Sequence, residues 1–328
     1  MPSKIVLITG GTKGIGRTIA LHLAAQGQRV FVASRRPPTE PMPDVTYVPL
    51  DLHSEAAIQD CVRTVLAQAG RIDVLVNNAG YIGPIGASEE VGLEEARALF
   101  ETNFFGAVQM INMVLPSMRE RRAGLIINIS SITGRLTAIP FASFYDASKH
   151  ALEGYSKALV NELRPLGIEV AIIEPGSFAS DIRASLKPPA HPLDDFAIQR
   201  DHAMVTGDFY LRHGHDPQPI AHLVSQLIDT GPRRLHYPVG LEANLLNVFC
   251  KLLPDPWYQK LTHWMFLGSK PLEIGTDDET VSRRLGIRRY MAENPLVDNW
   301  RQILGGLVIL AGIAGVLIVR RRAPRRSQ

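Results

Sequence analysis

The sequence predicts an α/β fold built on a doubly wound parallel sheet, and three observations carry that expectation. Short, nearly continuous apolar runs recur up to residue 175, longer amphipathic stretches alternate with them, and a glycine-rich turn joins the first run to the first amphipathic stretch. A run that is apolar at every position suits a strand covered on both faces, as parallel sheets require.

The runs "KIVLIT", "RVFVAS", "VTYVPL", "IDVLVN", "GLIINIS" and "IEVAIIEP" read as six strands, with crossover helices at about 15–27, 54–69, 94–121 and 143–163. Ligands in such sheets bind at the carboxyl ends of the strands. Between Ser177 and Pro217 the periodicity dissolves into prolines, histidines and short apolar pieces, which predicts a mobile lid. A helical "PIAHLVSQLIDTG", a short strand "LHYPVG" and the apolar, aromatic "ANLLNVFCKLLPDPWYQKLTHWMF" follow. Core packing explains that last stripe; a lipophilic substrate wall or a membrane contact are its alternatives.

From Ile303 to Val319 the chain is uncharged and apolar all round, and "RRRAPRR" follows. At about 1.5 Å per residue the run spans about 26 Å, close to a hydrocarbon core of about 30 Å, and arginines can snorkel to headgroups. The expected organisation is a Rossmann-type catalytic domain over 1–245 with its lid at 177–217, a helical extension over 246–300, and a membrane-spanning helix with an arginine-rich tail over 301–328. A single-pass C-terminal anchor would leave the catalytic domain in the cytoplasm, yet it would send the arginines across, against the usual inside bias of Lys and Arg.

The chain has 328 residues, 45% of them hydrophobic, enough for a full core. Its net charge of +3 is more than accounted for by Arg320, Arg321, Arg322, Arg325 and Arg326, so the body is mildly acidic and no nucleic-acid partner is expected. Cys61 and Cys250 stand far apart with no ligand cluster, which argues against a disulfide scaffold and a zinc site. The "HGH" at 213–215 lacks carboxylate or cysteine partners in sequence, so no metal is expected there either. Asp194 and Asp195 read as a solvated lid or a helix start. The N-terminus shows no secretory leader.

"TGGTKGIG", Thr9 to Gly16, follows the first strand and opens the first helix. Its glycines let the backbone turn tightly and approach a pyrophosphate, and the helix N-terminus attracts negative charge. Gly10, Thr12, Lys13, Gly14, Ile15 and Gly16 are therefore candidate dinucleotide contacts. The second strand ends in Ser34, Arg35 and Arg36, with no carboxylate for ribose hydroxyls; a guanidinium pairs with a 2′-phosphate instead, and Lys13 adds charge. The expected cofactor is NADP(H).

Tyr145 and Lys149, in "SFYDASKHALEG", stand at i and i+4 and share a helix face, about 6 Å apart at Cβ. Tyr155 and Lys157, at i and i+2, point to different faces and read as packing or surface.

With these motifs the chain resembles the short-chain dehydrogenases/reductases over residues 4 to 245, on "TGGTKGIG", "DL" at 51 and 52, "NNAG" at 77–80, Asn103 in "NFFG", "ISS" at 129–131, "YDASK" at 145–149, and "PG" at 175 and 176. Within the family "PFASFYDASKHALEG" and "LHYPVG" look like the enzymes of steroids, retinoids and other lipophilic alcohols or ketones. The resemblance implies that Asp51 and Leu52 lie at the adenine, that Asn78, Ala79 and Gly80 line the cleft, and that Pro175, Gly176, Phe178 and Ser180 flank the nicotinamide. Ser180 stands where the family often has threonine and keeps the hydroxyl. The step from Ser131 to Tyr145 is one residue longer than the family's commonest spacing, which leaves Ser130 and Ser131 as alternatives; Ser131 is chosen because it precedes Gly134 by three, as the family's serine does.

The implied tetrad is Asn103, Ser131, Tyr145 and Lys149. An ammonium about 5 Å away, at an effective dielectric of about 20, favours the phenolate by about 3 kcal/mol, or about two pK units. Tyr145 would then exchange a proton with the reacting oxygen, Ser131 would bond that oxygen as charge develops, and Lys149 would tune the phenol and hold the ribose. Asn103, by resemblance, would help hold a water that links Lys149 to solvent. The expected activity is hydride transfer between NADP(H) and a carbonyl or alcohol on a lipophilic substrate. A reductase of sugar or acyl-thioester carbonyls is the enzymatic alternative. A non-catalytic NADPH-binding scaffold is the other, though it would not need the whole tetrad. Family members often pair through the helices that here carry Asn103 and Tyr145, so a homodimer is expected.

Overall fold

A computed structural model describes residues 3–254 and 256–258. Seven parallel strands form one sheet: β1 (Ile5–Thr9), β2 (Arg29–Ser34), β3 (Val45–Pro49), β4 (Val74–Asn77), β5 (Gly124–Ile129), β6 (Ile168–Pro175) and β7 (His236–Val239), in the order β3-β2-β1-β4-β5-β6-β7. The six apolar runs are its first six strands, and "LHYPVG" adds the seventh beside β6.

Alternation along β1 shows why these runs are continuously apolar. Ile5 and Leu7 join a core with Ile58, Val62 and Val65 of α2 (Glu55–Ala69), Met110, Ile111 and Val114 of α4 (Gly106–Arg121), and Leu159 and Leu163 of α5 (Ser143–Leu163). Val6 and Ile8 face the opposite layer, with Ile19 and Leu23 of α1 (Gly14–Ala25) and Ile220, Val224 and Leu227 of α7 (Gln218–Thr230). Each residue of β1 is thus buried whichever way it points. The chain winds outward from β1 to β3, then restarts at β4 on the other side, so the ends of β1 and β4 flank the switch-point crevice.

Two stretches differ from expectation. The helix expected over 94–121 is α3 (Leu93–Phe100) and α4 joined by a π-helical turn, Glu101–Phe105, which carries Asn103; such widened turns recur at functional sites. The segment 177–217, expected to lack regular structure, contains α6 (Ala197–Arg212). Small and polar residues cover much of α6, so its apolar periodicity is weak and it escapes a hydrophobicity-based reading.

α8 (Leu241–Leu252) starts five residues before the expected boundary at 246. The rest of the extension beyond 258, the apolar run Ile303–Val319 and the arginine tail lie outside the described residues. Among the described residues no helix is long and apolar enough to cross a membrane.

Candidate active site

A cleft of about 820 Å³ opens at the carboxyl ends of the strands. Its floor begins at the turn from β1 into α1, where Gly10 (φ +65°) and Gly14 (φ +50°) take left-handed backbone. A Cβ at Gly10 would lie 2.9 Å from Ala79 Cα, and one at Gly16 would lie 2.5 Å from both Asn78 Nδ2 and the Gly10 carbonyl. Asn78 explains that crowding: its amide donates to the Thr9 and Gly10 carbonyls, each at 3.1 Å, and the Asn78 and Ala79 N–H groups bond Thr9 Oγ1, each at 3.1 Å. These bonds tie the ends of β1 and β4 together. No side chain caps the first turn of α1, and no acidic residue stands there. A bare backbone cradle at a helix N-terminus fits a dinucleotide pyrophosphate.

Of the sequence-predicted cofactor residues, Gly10, Thr12, Lys13, Gly14, Ile15, Ser34, Arg35, Asp51, Leu52, Asn78, Ala79, Gly80, Tyr145, Lys149, Pro175, Gly176, Phe178 and Ser180 all line the cleft. Gly16 and Arg36 do not. Gly16 is buried inside α1, where its missing side chain lets Asn78 reach the loop. Arg36 contributes its carbonyl, which accepts from Ser34 Oγ at 2.6 Å and shapes the turn, leaving Arg35 as the one guanidinium of the pair on the cleft wall.

Tyr145 and Lys149 project from the first turns of α5 and are 6% and 4% exposed. The Tyr145 phenol hydrogen-bonds Ser131. Ser131 in turn accepts from the Thr133 N–H at 3.2 Å and the Thr133 hydroxyl at 3.1 Å, which fixes it at the head of a tight turn, Ile132–Gly134. Of the two candidate serines, then, Ser131 meets the phenol; Ser130 packs so closely beneath Gly134 that a Cβ there would lie 2.5 Å from its hydroxyl.

Lys149 Nζ donates to the Ile129 carbonyl at 3.0 Å and lies 6.0 Å from the Tyr145 ring centroid. The expected sign of the phenol's shift is corrected here. Burial pushes Tyr145 up to about 12, with the Ser131 hydrogen bond opposing and Asp146 adding to the rise. Burial also lowers Lys149 to about 8, against the pull of Glu153. Desolvation disfavours both charged forms and outweighs the attraction on which the sequence argument rested.

Asn103 stands behind the cleft wall and does not line it. Its Oδ1 accepts from the Tyr81 N–H at 3.0 Å, and its Nδ2 donates to the Tyr81 carbonyl at 2.9 Å and to Ser148 Oγ at 3.1 Å. The side chain therefore clamps the strand-end loop that carries Gly80 onto α5.

Sequence reasoning missed the far wall. Ile82, Ile85, Ile139, Ile182 and Leu186 line it, with Ala203, Thr206, Gly207 and Tyr210 of α6 at helical spacing. One bridge closes the segment 177–217 on itself and three further ties hold it to the rest of the chain. Phe178 bridges His215, Pro84 bridges Lys187, Ser185 Oγ accepts from the Ile82 N–H at 3.1 Å, and buried Glu90 pairs with Arg200 while accepting from the Leu193 N–H at 2.7 Å. Glu242 of α8 anchors the strand end by accepting from the Ser177 N–H at 2.6 Å. No periodic signal marks any of these.

The sheet and the glycine cradle at the strand ends together define a dinucleotide-binding α/β protein with a buried phenol in its cleft. A family model described as short chain dehydrogenase matches residues 4–190, and the chain belongs to that family. A 3-ketodihydrosphingosine reductase of Bacteroides thetaiotaomicron is 44% identical over 178 residues, which cover 54% of this chain and 65% of that protein. Retinol dehydrogenase 8 of Bos taurus is 32% identical over 246 residues, 69% of this chain and 78% of that protein. Among solved structures, a short-chain dehydrogenase from Streptomyces avermitilis superposes with a TM-score of 0.68 at 32% identity, over 80% of this chain and 96% of that one.

Proposed function

We propose that the protein is an NADP(H)-dependent oxidoreductase that interconverts a carbonyl and an alcohol on a lipophilic substrate, chiefly as a reductase. One observation carries this: a buried phenol, bonded to Ser131 and one helical turn from Lys149, sits where the glycine cradle meets an apolar wall. When bound, the nicotinamide supplies or accepts the hydride. Gly10 to Ile15, Asn78 to Gly80 and Pro175 to Ser180 would hold the dinucleotide, and Arg35 with Lys13 would meet a 2′-phosphate.

With its affinity for the proton raised by burial, the Tyr145 phenol is protonated at neutral pH and ready to donate to a carbonyl oxygen, which favours reduction. Ser131 bonds the same oxygen as negative charge grows there. Lys149 keeps its proton up to about pH 8 and supplies the positive charge that steadies the phenolate left behind.

The substrate class rests on the wall of Ile82, Ile85, Ile139, Ile182 and Leu186, and on the names of the two relatives above. Pairing of two copies through α4 and α5 is part of the proposal, supported by Phe104, packed edge-on to Tyr155, and by Phe105, 48% exposed beside it. So is a membrane location through Ile303–Val319, on sequence alone; a chain ending at Asn299 should lose membrane partitioning. The decisive experiment is NADPH oxidation by the purified chain with steroid, retinoid, long-chain and sugar carbonyls. Turnover of lipophilic carbonyls that Tyr145→Phe abolishes while NADPH binding persists supports the proposal; turnover of sugars alone, or of nothing, overturns it.

A further inference from the structure

Behind the site lies a buried ionic cluster that the proposed reaction does not use. Arg135, just past the Ser131 turn, makes a two-pronged pair with Glu174 at the end of β6, Nε to Oε1 at 2.6 Å and Nη2 to Oε2 at 2.7 Å. His236 Nδ1 on β7 lies 2.9 Å from Glu174 Oε1 and 3.2 Å from Glu153 Oε2 on α5. Both carboxylates are fully buried, whereas the His236 side chain is 25% exposed. Arg135 Nη2 also reaches Asn247 Oδ1 of α8 at 3.3 Å. The Arg135 guanidinium already neutralises Glu174.

The other carboxylate differs. Among the described residues Glu153 has no hydrogen-bond donor besides the His236 contact. It stands one helical turn past Lys149 on the same face of α5, and both pack against Gly134, whose Cβ would lie 3.2 Å from Glu153 Cγ and 3.2 Å from Lys149 Cβ. Burying an ammonium favours its neutral form, and a nearby carboxylate restores the charge. We propose that Glu153 is a positioning residue that keeps Lys149 charged, while His236, held by Glu174, shares that carboxylate and so weakens its pull on Lys149.

The charged groups packed against His236 are Glu153 from α5, Glu174 from β6 and, behind Glu174, Arg135. From α8, Cys250 lies near Arg135, and the Glu242 carboxylate faces the Ser177 N–H and His215. Glu153 and Glu174 together keep the His236 proton bound above its ordinary range.

The inference rests on the role proposed for Lys149, and its test is separable from it. Protein carrying ¹³C at the lysine ε-carbons, without cofactor, reports the Lys149 protonation midpoint by NMR, with Lys149→Met assigning the signal. Glu153→Gln should lower that midpoint by about one pH unit and Glu153→Asp by less. His236→Gln, which leaves the carboxylate, should keep it at or above the wild-type value. An unmoved midpoint in both Glu153 variants, or a fall in His236→Gln, overturns the inference. Tyr145→Phe turnover tests the reaction itself, so a protein whose midpoint shifts but which never turns over would sink the reaction and spare the positioning role.

Discussion

Lys149 Nζ lies 6.0 Å from the centre of the Tyr145 ring and donates to the Ile129 carbonyl, not to the phenol. The ammonium acts on the phenol through space, and the hydroxyl that bonds the phenol belongs to Ser131. At neutral pH this leaves a protonated acid beside a cation, the arrangement a reductase needs before proton transfer.

The pH dependence of reduction follows. Tyr145, pushed up to about 12, stays protonated through the working range, while Lys149, lowered to about 8, loses its charge above that pH. The rate constant kcat for reduction should be flat from about pH 6 to 7.5 and fall above pH 8. Tyr145→Phe should lower kcat by about 10³-fold, within the usual range for loss of a general acid. Stopped-flow or steady-state NADPH oxidation across pH checks both; a limb that rises from pH 8 to 10 would count against this assignment.

Cofactor choice should depend on Arg35 and not on Arg36. Only Arg35 lines the cleft; Arg36 takes part through its carbonyl. A hydrogen bond to a charged group is worth about 1.5–3 kcal/mol. Arg35→Ala should raise KM for NADPH by about 10- to 100-fold and leave KM for NADH nearly unchanged, and Arg36→Ala should change neither by more than about twofold. Equal effects from the two variants would show that the turn, not the guanidinium, matters.

How much of this was legible in the sequence depends on the physics behind each feature. Strands buried on both faces have no choice but to be apolar throughout, so β1, β2, β4, β5 and β6 could be read directly, the half-exposed edge strand β3 was marked by its β-branched and aromatic residues, and the i, i+4 spacing of Tyr145 and Lys149 survives in α5. The cradle was legible because glycine takes the positive φ of Gly10 and Gly14 without steric cost, and a Cβ at Gly10 would also crowd Ala79. The sign of the Tyr145 shift was not, because it turns on desolvation, which no local pattern encodes. Nor was the Arg135–Glu174–His236–Glu153 cluster: its members come from four elements, and each looks in sequence like an ordinary surface charge. α6 escaped because three of the residues it turns to the cleft, Ala203, Thr206 and Gly207, are small or polar, which leaves Tyr210 and Leu211 too few to mark an apolar face.

The wall that α6 completes should depend on one buried ion pair. Glu90 is fully buried, pairs with Arg200 and accepts from the N–H groups of Ala87 and Leu193, each at 2.7 Å. Removing one partner of a buried pair strands the other and costs about 3–5 kcal/mol. Arg200→Met should lower stability by about that amount, make 177–217 the first site of limited proteolysis, and raise KM for the carbonyl substrate more than it lowers kcat. Cleavage elsewhere, with KM unchanged, would remove the segment's role in substrate binding.

Asp146, next to the Tyr145 phenol in α5, is 5% exposed. Burial raises its carboxyl to about 7, although Oδ2 accepts from the Ile139 N–H at 2.6 Å. Its folded-state affinity for the proton therefore exceeds that of the unfolded chain, near 3.8. Between about pH 4 and pH 7 the folded protein keeps a proton that the unfolded chain releases, so this group's stabilisation is complete below about pH 4 and is lost as pH rises towards 7. At about 1.4 kcal/mol per pH unit the loss reaches about 4 kcal/mol. Asp146→Asn keeps an acceptor for Ile139 and cannot titrate. Unfolding in urea at pH 4, 5, 6 and 7 should therefore show the variant gaining on the wild type by about 1 kcal/mol per step. Parallel stability curves would mean that Asp146 is ionised in the folded protein and that its burial is offset by partners stronger than the Ile139 amide.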